Sequence, residues 1–503
     1  MEKVAVIELE TNNVKMQLVD VVKNKFYAVY NEVSMPINLT KDFYEDKIIK
    51  PSVVKELNDI LKVFKMMLDK EQIVETICYA SSLLSEAKNL NGFLNEIANA
   101  STFKFEVLMP EDEIGKVYTA VINTFSKPKG LIINISNYST QFMLYNRRNI
   151  LNTYCIPYGS INMLEKYSNV ENPLDRAQKI ESDIAEQIKD LDWAFELPED
   201  FEVVCTGSMF RNLGIVSRRA KKYPLDIEHN YQMSYQDFEK VYNVVKPLEA
   251  NATSKLKGIS INDSQYFSTA LAIMNAIFSK MPQYAINICA TDKQDGILLN
   301  YAIPLTLEKP ITDILGYSLQ ILNEYYDKEQ EKSLKVYELA MILFKQLKVL
   351  HKLGRNYVKV LRIASYLTGC GDRVRFKDRE KSAFSIIQNS DIYGVSHNEI
   401  ILACFVSLLR NPDNFNLADW VKYKDLVTDA DLAAVKKLAC ILKVAESLNV
   451  TGFGSVQDIS CDILGHSVIM KTIVEKDVSL EIKYTMLVGP EFKKAFNKNL
   501  EVI

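Results

Sequence analysis

Histidine is scarce in this chain. The four present, His229, His351, His397 and His466, lie far apart, and no HxxxH or His-Asp pair occurs. A histidine-based metal centre is therefore not expected. The eight cysteines form no CxxC and sit mostly in apolar runs such as VVCTG, INICA and LACFV, which reads as reduced, buried thiols of a cytosolic protein rather than disulfides or a metal site. No apolar run approaches the roughly 20 residues that span a bilayer, and MEKVAVIELE has no basic segment followed by an apolar one, so neither a membrane anchor nor a signal peptide is expected. Charge of one sign is missing too: 60 Lys and Arg stand against 64 Asp and Glu, a net of −4. That balance gives no field for a nucleic acid and no acidic tail. With 503 residues, 48% hydrophobic and 25% charged, and no low-complexity segment, the chain is of ordinary globular composition, long enough for three or four domains.

What is present is a hairpin that occurs twice. Residues 4–19, VAVIELETNNVKMQLV, and 131–145, LIINISNYSTQFMLY, each read as an apolar strand, a tight polar turn and a strand alternating apolar and polar residues. Leu9 to Leu18 aligns with Ile135 to Leu144 without a gap. A repeated unit at the head of two successive α/β segments implies a duplicated fold with a cleft between its halves. Further along, spacing and end signals predict a helix over 51–68, a strand over 74–80, a helix near 90–100, a strand over 103–108 and a helix opening at Pro110, whose first turn carries Glu111, Asp112 and Glu113 where they complement the helix dipole. The second half repeats the plan, with a long helix over 173–193 and strands over 201–207 and 284–289. A boundary helix falls within 306–330, helices fill 332–447, and strands are expected near 467–474 and 479–488.

The order of short motifs resembles the exopolyphosphatase / guanosine-pentaphosphate phosphohydrolase (Ppx/GppA) family over essentially the whole chain. VIELETNN (6–13) stands where that family has DxGSNS, YASSLLSEAKN (79–89) where it has ATSAxRxAxN, and VLMPEDEIGKVY (107–118) where it has VISGxEEARLxY. NISNYSTQF (134–142) resembles DIGGGSTEL, IPYGSINMLEKY (156–167) the SxPxGxxxLxExF segment, VCTGSMFRNL (204–213) the glycine motif before a helix, and DKQDGILL (292–299) the LREGxL segment. KVYELAMILFKQL (335–347) and EKSAFSIIQNSDIYGVSHNEI (380–400) resemble helices of the family's C-terminal domain. The resemblance implies two actin-like (ribonuclease H-like) α/β lobes, 1–126 and 127–308, and a mostly helical HD-like domain, 309–503, ending in a small β region. It also implies a cytoplasmic homodimer that hydrolyses terminal phosphoanhydrides of polyphosphate or of guanosine pentaphosphate, with Mg²⁺ as cofactor if it is active.

Phosphoryl transfer asks a protein for N–H donors and cations around the phosphate and for a group that aligns the attacking water. The resemblance places the last role on Glu113, whose alternative role is that of a dipole-favoured acid in a helix's first turn. The loop positions are Glu8, Glu10, Thr11, Asn12 and Asn13 in the first hairpin; Asn134, Ser136, Asn137, Tyr138, Ser139, Thr140 and Gln141 in the second; and Gly207 and Ser208 before the third motif's helix. Asn12, Ser139, Thr140, Gly159, Gly207, Gly296 and Glu113 keep the family's residue types. Ser136, Asn137 and Tyr138 replace three glycines, whose freedom at φ > 0 lets N–H groups converge on an anion, and Tyr138 is expected to put its ring in the phosphate's place. Glu10 also replaces a glycine and would repel a phosphate by roughly several kcal/mol at an effective dielectric of about 20. The leading aspartates are Glu8 and Asn134, and the acid closing the second loop is Gln141. The clamp arginine has become Ser85 or Leu84, and the Arg-Glu pair of the REG segment Gln294 and Asp295. In the C-terminal domain, Leu367–Gly371 and Asp378–Ser382 stand where LHDIG and HHxHS would, so no catalytic metal is expected there. Two basic stretches, 218–222 and Arg147-Arg148, read as solvated, and Arg373, Arg375 and Lys377 form a basic loop. Two readings follow: a divergent phosphoanhydride hydrolase with weakened or lost activity, or a non-catalytic binding or regulatory protein of the same fold that senses a nucleotide or pairs with an active paralogue. A substrate of lower negative charge is a third.

Overall fold

The computed structural model describes residues 1–39, 46–306, 308–326, 329–474 and 476–503. Strands β1 (Glu2–Leu9), β2 (Asn13–Val22) and β3 (Phe26–Pro36) form an antiparallel meander, with β4 (Glu75–Ala80) parallel to β1 and the two-residue β5 (Glu106–Val107) at the edge. Alternation along β1 sends Ala5, Ile7 and Leu9 to one face, where they pack with Leu57, Leu61 and Phe64 of the Pro51–Glu71 helix and Phe93 and Ile97 of the Leu90–Ser101 helix. Val4 and Val6 go to the other face, against Leu298 and Ala302 of the Lys293–Ala302 helix. Both faces are covered, which is why β1 reads as an unbroken apolar run.

The second sheet repeats the first. Strands β6 (Lys129–Ile135), β7 (Thr140–Asn146) and β8 (Asn149–Ile156) form the meander, and β9 (Glu202–Thr206) lies parallel to β6 as β4 does to β1. The short β10 (Tyr231–Met233) and β11 (Ile286–Ile288) complete the order β10-β11-β9-β6-β7-β8. Leu9 faces Val14 as Ile135 faces Thr140, so the hairpins match residue for residue across four-residue turns. The helix expected over 173–193 stops at Gln187 and resumes as a single turn, Asp192–Phe195. The strand expected over 103–108 is cut to β5, because most of that run has no partner beyond β4's last two residues.

Residues 1–222 and 228–312 form one compact unit; Asp313–Ile503, with Tyr223–Ile227, form another. The second is built on helices Ile314–Tyr326, Gln330–Gln346, Asn356–Tyr366, Arg379–Gln388, His397–Leu408 and Asp429–Ser447, around a core that includes Leu343, Ile401, Phe405 and Leu442. Ser396 with Glu399 and Thr428 with Asp431 close capping boxes at two of their starts. A small sheet, β12 (Val456–Ile463), β13 (Ser467–Val474) and β14 (Asn499–Val502), packs beside them. The expected strand over 479–488 is instead the Ser479–Met486 helix. Burial falls at Val478, Glu481, Thr485 and Val488, the spacing of one helix face, while Leu480, Tyr484 and Met486 of the apparent alternation are exposed.

Candidate functional site: a cleft with its own cation

The two hairpin turns, the start of the Pro110–Ile122 helix, the N-terminus of the Ser208–Ala220 helix and the N-terminus of the Lys293–Ala302 helix converge on a cavity of about 430 Å³. Glu8, Glu10, Asn12, Asn13, Glu113, Asn134, Ser136, Asn137, Gln141, Gly207 and Ser208 all reach it. The turns touch each other, Asn137 Nδ2 donating to Asn12 Oδ1 at 3.0 Å. Four of the expected residues lie outside its lining: Thr11, Tyr138, Ser139 and Thr140. Thr140 is fully buried with its hydroxyl on the Tyr158 carbonyl (2.8 Å). Tyr138 is a correction to the sequence reading. Its ring is buried outside the cavity rather than standing in it, because a hairpin residue with an apolar ring gains more from the core than from a polar cleft. The clamp position fares likewise, with Leu84 buried in the core of the first sheet and Ser85 exposed, neither at the cavity.

Without its glycines, the second turn spends its backbone donors on itself. The Ser136 N–H donates to the Ser139 carbonyl (2.9 Å), and the Ser136 Oγ accepts from the N–H groups of Ser139 (3.1 Å) and Tyr138 (3.4 Å). A hydroxyl thus takes the N–H groups that an anion would need. Gly159 is required here: a Cβ on it would lie 2.4 Å from the Tyr138 nitrogen. Gly207 adopts φ +108°, and a Cβ there would meet the Ile135 carbonyl oxygen at 2.8 Å.

At the acidic end of the cleft stands a residue the sequence reading did not single out. Lys293 Nζ lies 2.6 Å from Glu10 Oε1, 3.1 Å from Glu8 Oε1 and 3.3 Å from Glu113 Oε1, and 5.6 Å from the Tyr79 ring centre. Its side chain is 14% exposed. Burial works against its charge, but the three carboxyl groups outweigh it and hold the ammonium well above its ordinary value. Burial also opposes the charge of Glu8, which Lys293 and Lys15 nevertheless hold below the usual carboxylate range. For Glu10, burial wins: with Glu8 and Glu113 adding to it against the pull of Lys293, its carboxyl is pushed up to about 8. Glu113 is engaged at both oxygens, Oε1 by the Ser82 N–H (3.1 Å) and by Lys293, and Oε2 by the Ser82 hydroxyl (2.9 Å). Beside this group Arg211 pairs with Asp292 at 3.1 Å. Six carboxyl groups, those of Glu8, Glu10, Glu32, Glu113, Asp263 and Asp292, line the cleft against three cations, Lys15, Arg211 and Lys293.

The signal for Lys293 was its place one residue before the REG-like positions, but only the fold brings it to residues 8, 10 and 113. Mg²⁺ needs near-octahedral oxygens at about 2.0–2.1 Å. The ammonium of Lys293 sits at the point on which these carboxylates converge, so the residues do not fit the metal as they stand. Of the two basic stretches expected to be solvated, Arg147, Arg219, Lys221 and Lys222 are exposed, and one arginine in each departs. Arg218 is buried (3% exposed) against the Tyr231 ring, and Arg148 donates to the carbonyls of Ile122 and Ile311; neither is a solvated charge. In the helical unit, Thr368, Gly369, Arg373, Arg379 and Glu380 border a separate cavity of about 670 Å³, beside the buried Arg410–Glu446 pair.

The sequence pattern of the Ppx/GppA phosphatase family matches residues 19–303, and that of domain III of the same family residues 316–463. The chain belongs to the Ppx/GppA phosphatase family. Its curated relatives include a bifunctional 3-dehydroquinate synthase/phosphatase of Fusobacterium nucleatum (24% identical, over 32% of this chain and 26% of the relative) and retrograde regulation protein 2 of Saccharomyces cerevisiae (22% identical, over 47% and 43%). The chain thus spans less than half the length of either. Among solved structures, the Aquifex aeolicus Ppx/GppA family member matches 62% of this chain and 99% of its own at 16% identity with a TM-score of 0.52. An exopolyphosphatase from Cytophaga hutchinsonii matches with the same coverage and identity and a TM-score of 0.55. These likenesses show the fold: actin-like α/β lobes followed by the helical domain III. Among the described residues no helix is long and apolar enough to cross a membrane.

Proposed function

We propose that this chain is a non-catalytic member of its family, a binding or regulatory protein in which hydrolysis of polyphosphate and guanosine pentaphosphate has been lost. The observation that carries the reading is Glu113. A group that aligns an attacking water needs an open acceptor position on its carboxylate, and of the roughly four that Glu113 has, Ser82 takes two and Lys293 a third. The rest of the cleft argues the same way, since the second turn spends the Tyr138 and Ser139 N–H groups on Ser136 Oγ and, even without Glu10, five carboxyl groups stand against three cations, which disfavours a polyanion. A ligand of this cleft is neutral or cationic and polar. One relative is named for a regulatory role, which agrees with this reading. A cytoplasmic homodimer, as the family resemblance implies, is part of the proposal, and light scattering reads the assembly.

The test is phosphate release from long-chain polyphosphate and from guanosine pentaphosphate with Mg²⁺, beside the Glu113→Gln protein. The expected result is equal background from both. Release by the wild type above that variant, from either substrate, overturns the proposal.

A further inference from the structure

We propose that the cavity of the helical unit is a binding site for a nucleoside monophosphate, its base on the Arg410–Glu446 pair and the aromatic rim, its phosphate on Arg373. The site belongs to the other unit of the chain, and the inference stands whether or not the cleft between the hairpins hydrolyses anything.

The cavity, of about 670 Å³, falls in the range of roughly 300–1,000 Å³ usual for small-molecule sites. Part of its wall is made where helices end. Arg410 follows the His397–Leu408 helix, and Glu446 stands in the last turn of the Asp429–Ser447 helix. Arg410 is 3% exposed. A guanidinium has five N–H donors, and four of these are accounted for. Nε donates to the Ser407 carbonyl (3.0 Å), Nη1 to the Thr368 carbonyl (3.3 Å) and to Glu446 Oε1 (2.5 Å), and Nη2 to Ser407 Oγ (3.4 Å). The fifth, on Nη2, has no partner among the described residues, and neither has Glu446 Oε2. Buried donors are rarely left so in a native fold. A ligand that accepts and donates along one edge, as a nucleobase does, would meet both groups.

Two aromatic side chains stand on the same cavity with their rings in water: Phe376, 75% exposed, and Tyr484, 49% exposed. A planar base gives such rings a face to stack on. Charge decides the rest. Lys332 is paired with Glu329 (3.1 Å), Lys443 with Glu491 (2.9 Å), and Arg379 lies near both Asp372 (3.7 Å) and Glu380 (3.5 Å). In the basic loop, Arg375 turns to Asp378 (3.5 Å), whereas Arg373 lines the cavity, is exposed and makes no ion pair among the described residues. One free guanidinium among four lining carboxyl groups admits one phosphate and disfavours a chain of them.

Isothermal titration calorimetry of the full chain with AMP and GMP, with their nucleosides, and with ATP and GTP tests this. The expected result is one monophosphate per chain, its nucleoside at least tenfold weaker, and no tighter binding of the triphosphate. Arg373→Ala should remove the preference for monophosphate over nucleoside, and Phe376→Ala should weaken both at least tenfold. Arg375→Ala, on the same loop but outside the cavity, should change neither. The three replaced side chains are exposed, so the variants keep the core, and unchanged urea midpoints check that. Failure of both monophosphates to bind at millimolar concentration overturns the proposal. So does binding that Arg373→Ala and Phe376→Ala leave unchanged, and so does a triphosphate that binds more tightly than its monophosphate.

Discussion

Glu10 shows how one side chain can change what a cleft accepts. A glycine at this turn would leave its N–H and its space to a ligand; a glutamate fills the space and competes for the lysine. Its carboxyl stands at about 8 against an ordinary value of 4.5, through burial first and then through Glu8 and Glu113. Between those values the folded chain holds a proton that the unfolded chain releases, so this residue's contribution to stability falls as pH rises through the window. Replacement by glutamine removes the titration while keeping an acceptor for Lys293. The prediction is that urea midpoints of wild type and Glu10→Gln agree best near pH 4.5 and diverge up to pH 8.5, the variant becoming the more stable by a few kcal/mol at most, since each tenfold change in proton affinity is worth about 1.4 kcal/mol. Parallel profiles would mean that Glu10 is ionised throughout.

At the scale of elements, the site depends on two helices that approach at a glycine. The Pro110–Ile122 and Lys293–Ala302 helices bring Glu113 and Lys293 together, and Gly296 sits where any Cβ would strike the Lys116 backbone. Backbone cannot swing aside as a side chain can, so Gly296→Ala must part the helices. A loss of about 2–3 kcal/mol in chemical denaturation is expected. Gly92 is the control: it lies exposed in the Leu90–Ser101 helix with nothing within 4 Å of the position a Cβ would take. Gly92→Ala should stabilise by about 0.5–1 kcal/mol through helix propensity and a less flexible unfolded chain. Equal effects at the two glycines would show that close approach is not what fixes the helix pair. The Ser479–Met486 helix marks the other side of element reading. Alternating apolar and polar residues suit a strand in isolation, yet burial against the helical core selects positions three and four apart.

The whole molecule has two units with separate cores. Leu343 is fully buried in the helical one, and Leu343→Ala should cost about 2–5 kcal/mol there. In calorimetry the expected outcome is two transitions, of which this substitution lowers one by several degrees and leaves the other in place. A single transition that moves as a whole would show that the units unfold together. Tyr223–Ile227, contributed by the first part of the chain to the second unit, gives one covalent reason for any coupling between them, since Leu225 lies in the helical core.

Much of this arrangement was legible in the chain. The repeated hairpin was visible because strand periodicity and a four-residue turn are local, and the Leu9–Val14 and Ile135–Thr140 pairings follow from it. The cleft's address was legible as well, since turns at equivalent ends of two duplicated sheets must face one another; Glu8, Glu10, Asn12, Glu113, Ser136 and Asn137 do line one cavity. What the sequence could not reveal was where side chains end. The ring of Tyr138 could lie in the cleft or in the core from the same backbone position, and packing decided for the core. Lys293 is 180 residues from Glu113 and more than 280 from Glu8 and Glu10, with nothing local to mark it as their partner. Local pattern determined the strands, the turns and the family; the three-dimensional fold decided which charges meet, because electrostatic contact depends on distance in space and on burial, neither of which is written along the chain.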